Sequence, residues 1–495
     1  MIQLTTVATM RKSDAKTIAS GISGRELMLR AAQGIFCAHD WNGKTAIVCG
    51  VGNNGGDGYA LATLLQSSGH DCTLYLMGER FSDDGFYYYE QCQNMGIPSF
   101  PYSKGTDFSI YDTVVDCILG TGFGGPLEGL VRDAVIQINQ TAQTVISADI
   151  NSGLNGDNGL CDLAVRSNLT VSIGTYKTGL FLGNAKDWIG ERKNVDIGIH
   201  MPPCKLFLAE ETDFREILHR RKQSSHKGNY GYVTVMGGCI EYAGASKLAN
   251  MSASALRAGC GVVQLAVPAS IASAVAPFLL ESTLLPIPSD EAGHMRFDTD
   301  ILDSLLSRQA AIAVGMGWGR SEEQTQILQY LLQNGSIPLL IDADGLNTLA
   351  TLDQSILKKT SCPVVLTPHL KEFERISGIP MEEILKDPIT HASNFAREYG
   401  VCLLLKGSCT VVTDGDVTIL VDRGCAGMAT AGSGDVLAGI LVGLLGYSPV
   451  TPLTVACGAY IAGMAGELAE AAVNPISMIA SDTVSKIGDA ISKMM

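Results

Sequence analysis

Short, uninterrupted apolar runs rich in β-branched residues alternate along this chain with longer stretches of helical period. The first set is "TAIVCG" (45–50), "CTLYLMG" (72–78), "TVVDCILG" (113–120), "TVISADI" (144–150) and "LTVSIG" (169–174). After a charged, polar stretch at 209–225 the pattern restarts with "YVTVMGG" (232–238), "GVVQLAVP" (261–268), "AAIAVGMG" (310–317), "PLLIDADG" (338–345), "PVVLTPH" (363–369) and "VCLLLKG" (401–407). Apolar strands without polar alternation, joined by helices, predict parallel sheets covered on both faces. The restart predicts two α/β domains, 1–208 and 209–495, each a three-layer α/β/α sandwich. The uncharged stretch 436–466 is broken by "SPVTP" (448–452) into pieces too short to span a bilayer, which predicts two buried helices joined by a turn.

Composition narrows the classes. Lys and Arg number 35 against 50 Asp and Glu, a net charge of -15, which opposes binding to nucleic acid or an anionic membrane. The one basic cluster is "HRRKQSSHKG" (219–228). The 14 cysteines fall singly in apolar segments with no C-x-x-C pair, the pattern of reduced, buried thiols. "MIQLTTVATMRKSDAK" has no apolar leader core, so a cytoplasmic protein is expected.

In open parallel sheets ligands bind beyond the carboxyl ends of the strands, so the chemistry is sought there. "GVGNNGGDG" (50–58) satisfies G-x-G-x-x-G through Gly50, Gly52 and Gly55, yet Asp57 puts an anion close to where a pyrophosphate would rest. "GTGFGG" (120–125) offers a second nest of backbone N–H groups, and "DINSG" (149–153) places Asp149 at a strand tip facing a cleft. Asp116 lies inside an apolar strand, where a carboxylate must be paired or bind a cation. Asn54 and Ser152 could add neutral oxygens suited to a monovalent ion; equally, Asp116 could cap backbone amides. In the second half "AGSGD" (431–435) opens a long apolar helix with Asp435 in its first turn. Its free N–H groups can hold a phosphoryl group while Asp435 reaches an attacking hydroxyl, although Asp at a helix start is often only a cap. "KGSCT" (406–410), "TPHLKEF" with His369 and Glu372, and "DADGLN" with Asp344 and Asn347 crowd the same rim.

Taken in order, "LMLRAA" (27–32), "GVGNNGGDGY", "VVDCILGTGFGG" and "SADINSGLNGD" resemble the NAD(P)H-hydrate epimerase or YjeF N-terminal family over about residues 1–205. The resemblance implies a Rossmann-like fold. It implies that Asn53, Asn54, Gly55, Gly56, Asp57 and the loop Gly120, Thr121, Gly122, Phe123, Gly124, Gly125, Pro126 touch the dinucleotide. Asn54, Asp116 and Ser152 would hold potassium, and Asp149 would be the substrate-contacting acid-base residue. Asn151 stands where the family has Pro, a change expected to loosen the loop holding Asp149, and Leu29 stands where a Glu is customary.

"HKGNYGYVTVMGG", "YAGASKLA", "ALRAGCGVV", "GMGWGR", "DADGLN", "TPHLKEF", "LLLKG" and "GMATAGSGDVLAG" resemble the ribokinase-like NAD(P)H-hydrate dehydratase family over about 210–490. By position Ala245, Gly317, His369 and Asp435 would contact the hydrate, and Lys406, Gly407, Ser408, Cys409, Thr410 and Gly434 the nucleotide. "RGCAGM" departs from the family's Gly-Asn-Pro-Gly-Met, which alters the expected shape of that loop. Implied partners are hydrated NADH or NADPH, ADP or ATP with Mg2+, and further copies of the chain in a homo-oligomer. The resemblance implies a bifunctional enzyme that epimerises the R and S hydrates and dehydrates the S form. The rivals are a small-molecule kinase with a regulatory nucleotide-binding domain, since "AGSGD" would serve a hydroxymethyl substrate equally, and a non-catalytic nucleotide sensor.

Overall fold

A computed structural model describes residues 1–253 and 257–495; Ala255 and Leu256 of "ALRAGCGVV" lie outside the described residues. The chain divides into two compact units, Gln3–Cys204 and Lys205–Met495, with Met1–Ile2 belonging to the second. The division therefore falls ahead of the boundary expected after residue 208. The physical reason is the strand Leu206–Leu208, which pairs with Thr418–Val421 of the second unit's sheet. The chain has already joined that sheet before the charged stretch begins.

The first unit is built on a seven-stranded sheet ordered Ser99–Pro101, Cys72–Leu76, Thr45–Cys49, Thr113–Cys117, Thr144–Ala148, Ser167–Ile173, Ile189–Val195, parallel at every pairing. Thr45–Cys49 and Thr113–Cys117 are buried at every residue, which is why they read as unbroken apolar runs. The chain leaves Thr45–Cys49 toward one edge and returns on its other side at Thr113–Cys117. That reversal opens a crevice where the carboxyl ends of these two strands meet, and both glycine-rich loops face it. Two strands escape the sequence pattern. Ser99–Pro101 has only three residues. Ile189–Val195 reads "IGERKNV", an edge strand whose charged side chains discourage further pairing.

In the second unit the expected strands Tyr232–Met236, Val262–Pro268, Ala311–Val314, Leu339–Ile341, Val364–Leu366 and Cys402–Leu405 form the parallel centre of an 11-stranded sheet. Thr410–Thr413 and Thr418–Val421 extend it antiparallel. Here the reversal lies between Tyr232–Met236, which also pairs with Val262–Pro268, and Ala311–Val314. The uncharged stretch forms two buried helices, Ser433–Leu445 and Pro452–Ala472. Among the described residues no helix is long and apolar enough to cross a membrane.

Candidate active sites

In the first unit the helix Asn53–Ser67 starts at Gly52 with no side-chain cap, leaving its first N–H groups free. The glycines here serve close packing as much as ligand approach. A Cβ on Gly50 would sit 1.8 Å from the Ile118 carbonyl oxygen, and one on Gly55 2.0 Å from that of Gly50, whereas Gly52 has open space. The loops enclose a cavity of about 810 Å³ lined by Asn53, Asn54, Asp57, Gly120, Thr121, Gly122, Phe123 and Asp149. Gly55 and Gly56 are instead buried in the helix packing. Gly124, Gly125 and Pro126 continue the second loop on the exposed surface, outside the cavity wall.

Asp149 has a left-handed backbone, φ 66°, which for a non-glycine residue costs about 1–3 kcal/mol. Its N–H donates to the Val171 carbonyl at 2.8 Å. Its Oδ1 accepts from the Lys177 Nζ, which also donates to the Ile173 carbonyl at 2.6 Å. The lysine side chain is 1% exposed and that of Asp149 16%: a nearly buried ammonium holds a carboxylate that still meets the cavity. Asp14, Asp57 and Lys177 line the same cavity. Burial, then the neighbouring Asp149 charge, pushes the Asp57 carboxyl well above its usual range, with Lys177 acting in the opposite sense. Asp14 is raised for the same two reasons in the same order. Three carboxylates thus share the surroundings of one ammonium, with Asp149 in direct contact with it. Lys177 and Asp14 were missed in the sequence. The available signal for Lys177 was a lone cation in the otherwise uncharged "LTVSIGTYKTGLFLGNA".

Asp116 lies beneath this surface. It accepts from the Ile118 N–H at 3.2 Å, the Ser152 N–H at 2.9 Å, the Ser147 hydroxyl at 2.9 Å and the Ser152 hydroxyl. Burial raises its carboxyl above the usual range and those hydrogen bonds, led by Ser152, pull back. Asp116 is thus a cap on two backbone amides. Asn54 donates Nδ2 to the Leu119 carbonyl at 2.9 Å, which also accepts from Ser152 Oγ at 3.3 Å, while Asn54 Oδ1 is buried with no partner. Such an orphaned acceptor costs about 1–3 kcal/mol.

Asn151 corrects an expectation. It does not loosen the loop: fully buried, its Nδ2 donates to the Val165 carbonyl at 2.8 Å, Ser167 Oγ at 2.9 Å and the Trp188 carbonyl at 3.2 Å, and its Oδ1 accepts from Thr170 Oγ1 at 2.6 Å. The loop that a proline ring would stiffen is pinned by an amide instead. Leu29, at the position of the customary Glu, is half-buried against the core cluster of its helix, Gly24–Cys37.

In the second unit Gly432, with φ 93°, starts the helix Ser433–Leu445 without a side-chain cap, which leaves N–H groups of the first turn outside the helix's own bonding. Asp435 is in the first turn, and burial followed by the Asp342 charge pushes its carboxyl up to about 7, opposed by Lys406. Lys406 Nζ contacts Asp342 Oδ1 at 2.8 Å and Glu372 Oε2 at 3.8 Å. A Cβ on Gly434 would lie 3.5 Å from that ammonium and 3.8 Å from Asp342 Oδ2. Gly434, Asp435, Lys406 and Asp342 therefore form one cluster, in which Asp342, 2% exposed, was not singled out in the sequence. The lysine expected to reach nucleotide phosphates is tied first to these two acids.

His369 caps the helix Leu370–Ser377. Its Nδ1 accepts from the N–H groups of Lys371 at 3.1 Å and Glu372 at 3.3 Å, and Glu372 returns a bond to the His369 N–H at 2.9 Å. Burial and the Lys406 charge lower the His369 pKa, so the ring is neutral, with Nδ1 committed to the cap. Gly317, φ 61°, and Ala245 touch: a Cβ on Gly317 would come within 2.9 Å of the Ala245 Cβ. Asp344 binds the Gly319 N–H at 3.0 Å and Asn347 Nδ2 at 3.2 Å. "KGSCT" turns between antiparallel strands with Gly407 and Ser408 exposed, while Cys409 is buried; Thr410 begins the second strand. The "RGCAGM" loop is shaped by acids from Pro452–Ala472. Glu467 accepts from Gly424 N–H and Arg423, and Glu470 accepts from Gly427 N–H at 2.7 Å.

The model of the YjeF-related protein N-terminus family matches residues 24–179, and that of the NAD(P)H-hydrate dehydratase family matches residues 233–488. A bifunctional NAD(P)H-hydrate repair enzyme of Moorella thermoacetica is 35% identical over 89% of this chain and 86% of its own length. One of Coxiella burnetii is 31% identical over 96% of both. The crystal structure of an ADP/ATP-dependent NAD(P)H-hydrate dehydratase from Bacillus subtilis, crystallised with ATP and Mg2+, is 25% identical, superimposes with a TM-score of 0.51, and covers 58% of this chain and 99% of its own. With two carboxylate-bearing strand-end sites in two α/β units and relatives matched over nearly their whole length, the chain belongs to the family of bifunctional NAD(P)H-hydrate repair enzymes.

Proposed function

We infer that this chain restores hydrated nicotinamide dinucleotides: the first unit interconverts the R and S hydrates of NADH and NADPH, and the second dehydrates the S form at the expense of ADP or ATP. The observation that carries the second activity is Asp435 at an uncapped helix start beside Gly434, Lys406 and Asp342. Hydroxide is a poor leaving group. Asp435 takes the proton of the ring hydroxyl, whose oxygen attacks the terminal phosphorus held by the helix-start amides, breaking its bond to the bridging oxygen and releasing AMP from ADP or ADP from ATP. The phosphate then departs as the ring nitrogen donates its electron pair, and the resulting iminium loses a proton from the neighbouring ring carbon to restore the ring double bond. Positioning and charge stabilisation supply most of such a transfer. Among the described residues no group of three or more His, Cys, Asp or Glu is arranged around a metal. Magnesium would be carried by the nucleotide phosphates, as is usual for this ion. The test is direct. Incubation with the S hydrate and ADP returns NADH absorbance; absence of turnover with ADP and with ATP favours the kinase reading.

The anionic form of Asp435 is the working one. Because burial and Asp342 raise its pKa to about 7, the base is lost as pH falls below that value. We expect dehydration kcat/KM to fall about tenfold per pH unit on the acid side and to level off above. A profile flat through the acid side of 7 contradicts the assignment.

In the first unit Asp149, held by Lys177, exchanges the proton needed to break and remake the ring carbon bond to oxygen. The orphaned Asn54 Oδ1, Asp116 and Ser152 Oγ make an all-oxygen set with one negative charge, which fits potassium. There the ion would neutralise Asp116 and fix the two glycine-rich loops. Epimerisation should drop in sodium-only buffer and recover with potassium, while equal rates in the two buffers count against this site.

A further inference from the structure

Two cations in the wall of the first cavity have no role so far. Arg11, on the helix Val7–Ala19, and Arg80, after the strand Cys72–Leu76, both line it. Neither makes a hydrogen bond or ion pair among the described residues. Their neighbours differ in this: Arg25 pairs with Asp84 at 3.5 Å and Arg30 with Glu26 at 2.9 Å. Arg11 lies over the second glycine-rich loop, its Nη2 3.3 Å from where a Cβ on Gly122 would stand. Of the pair Glu79 and Arg80, only Arg80 faces the cavity.

The order of strand ends gives these groups a geometry. Asp149 follows Thr144–Ala148, the two glycine-rich loops follow the next two strands, and Arg80 follows the one beyond. Three inter-strand spacings separate the ends, about 14 Å. A dinucleotide lying along this rim with its hydrated ring at Asp149 places its pyrophosphate between Arg11 and the free N–H groups after Gly52. Its adenosine ribose then reaches Arg80. In doubly wound dinucleotide folds the side chain beyond this second strand decides between a ribose 2′-hydroxyl, taken by an acid, and a 2′-phosphate, taken by arginine. Resting on the epimerase reading of this unit, we propose that Arg80 is the subsite for the adenosine 2′-phosphate. The first unit then prefers hydrated NADPH to hydrated NADH, with Arg11 gripping the pyrophosphate common to both.

The test follows R and S interconversion chromatographically in the full chain without ADP or ATP, so that dehydration stays off. The native chain should show the higher kcat/KM with hydrated NADPH. Arg80→Ala should lower that value by about tenfold or more, through KM, and leave hydrated NADH nearly unchanged, whereas Arg11→Ala should weaken both alike. Loss in equal proportion for both hydrates in Arg80→Ala, or no change in either, overturns the subsite. Calorimetric titration with NADPH and NADH decides the matter independently of turnover. Arg80→Ala should erase a native preference for NADPH, and identical titrations of the two proteins overturn the proposal even if neither hydrate is interconverted. The absence of interconversion in the native chain would strike the epimerase reading alone.

Discussion

Asp435→Asn abolishes dehydration and leaves epimerisation intact. The amide keeps the size and leaves the helix start in place, but it cannot take the hydroxyl proton, and loss of a positioned general base costs about a hundredfold to ten-thousandfold in rate. The environment sharpens the expectation. Burial and the Asp342 charge raise Asp435 to about 7, which matches the base to neutral pH, and an asparagine has no such protonation state to tune. The substitution also removes a repulsion against Asp342, so the second unit should hold or gain stability. A lower activity therefore cannot be laid to unfolding. Return of NADH absorbance from the S hydrate with ADP measures the loss, and chromatographic interconversion of the hydrates measures what is retained.

The reciprocal result is expected for Asp149→Asn: interconversion falls by a hundredfold or more, while the S hydrate is still dehydrated. Asparagine is the right probe because it tolerates the left-handed backbone at φ 66° better than most residues. The change nonetheless leaves Lys177, 1% exposed, without the one carboxylate it contacts directly. Removing one partner of a buried pair costs about 3–5 kcal/mol. Thermal unfolding should therefore move down in Asp149→Asn, and the double variant Asp149→Asn, Lys177→Met, which removes both charges, should recover most of that stability without recovering activity. Recovery of activity in the double variant would make Asp149 a structural anchor only. Loss of both activities from either single variant would refute two separate sites.

The parts of this molecule that were legible in the sequence are those whose physics is local. A strand buried on both faces must be apolar at every position, so Thr45–Cys49 and Val364–Leu366 announce themselves. Ile189–Val195 does not, because its polar residues serve an exposed edge. Loops at strand ends show through Gly and Asp, hence Asn54, Asp149, Gly434 and Asp435. What stayed hidden depends on who faces whom. Lys177 and Asp342 are ordinary letters until folding sets them against Asp149 and Lys406. His369 shows the reverse case. Its place at a strand end was plain, but its capping bonds are fixed by the helix that follows.

Asn151 carries a lesson about exchangeability. Where the resemblance leads one to expect proline, Asn151 supplies an amide that satisfies Thr170, Ser167 and the carbonyls of Val165 and Trp188. A proline at this position would strand those buried partners at once, whatever rigidity its ring supplied. The asparagine is therefore entrenched. A library that placed proline here by itself would score it as harmful, and only a joint change with Thr170 and Ser167 would admit it.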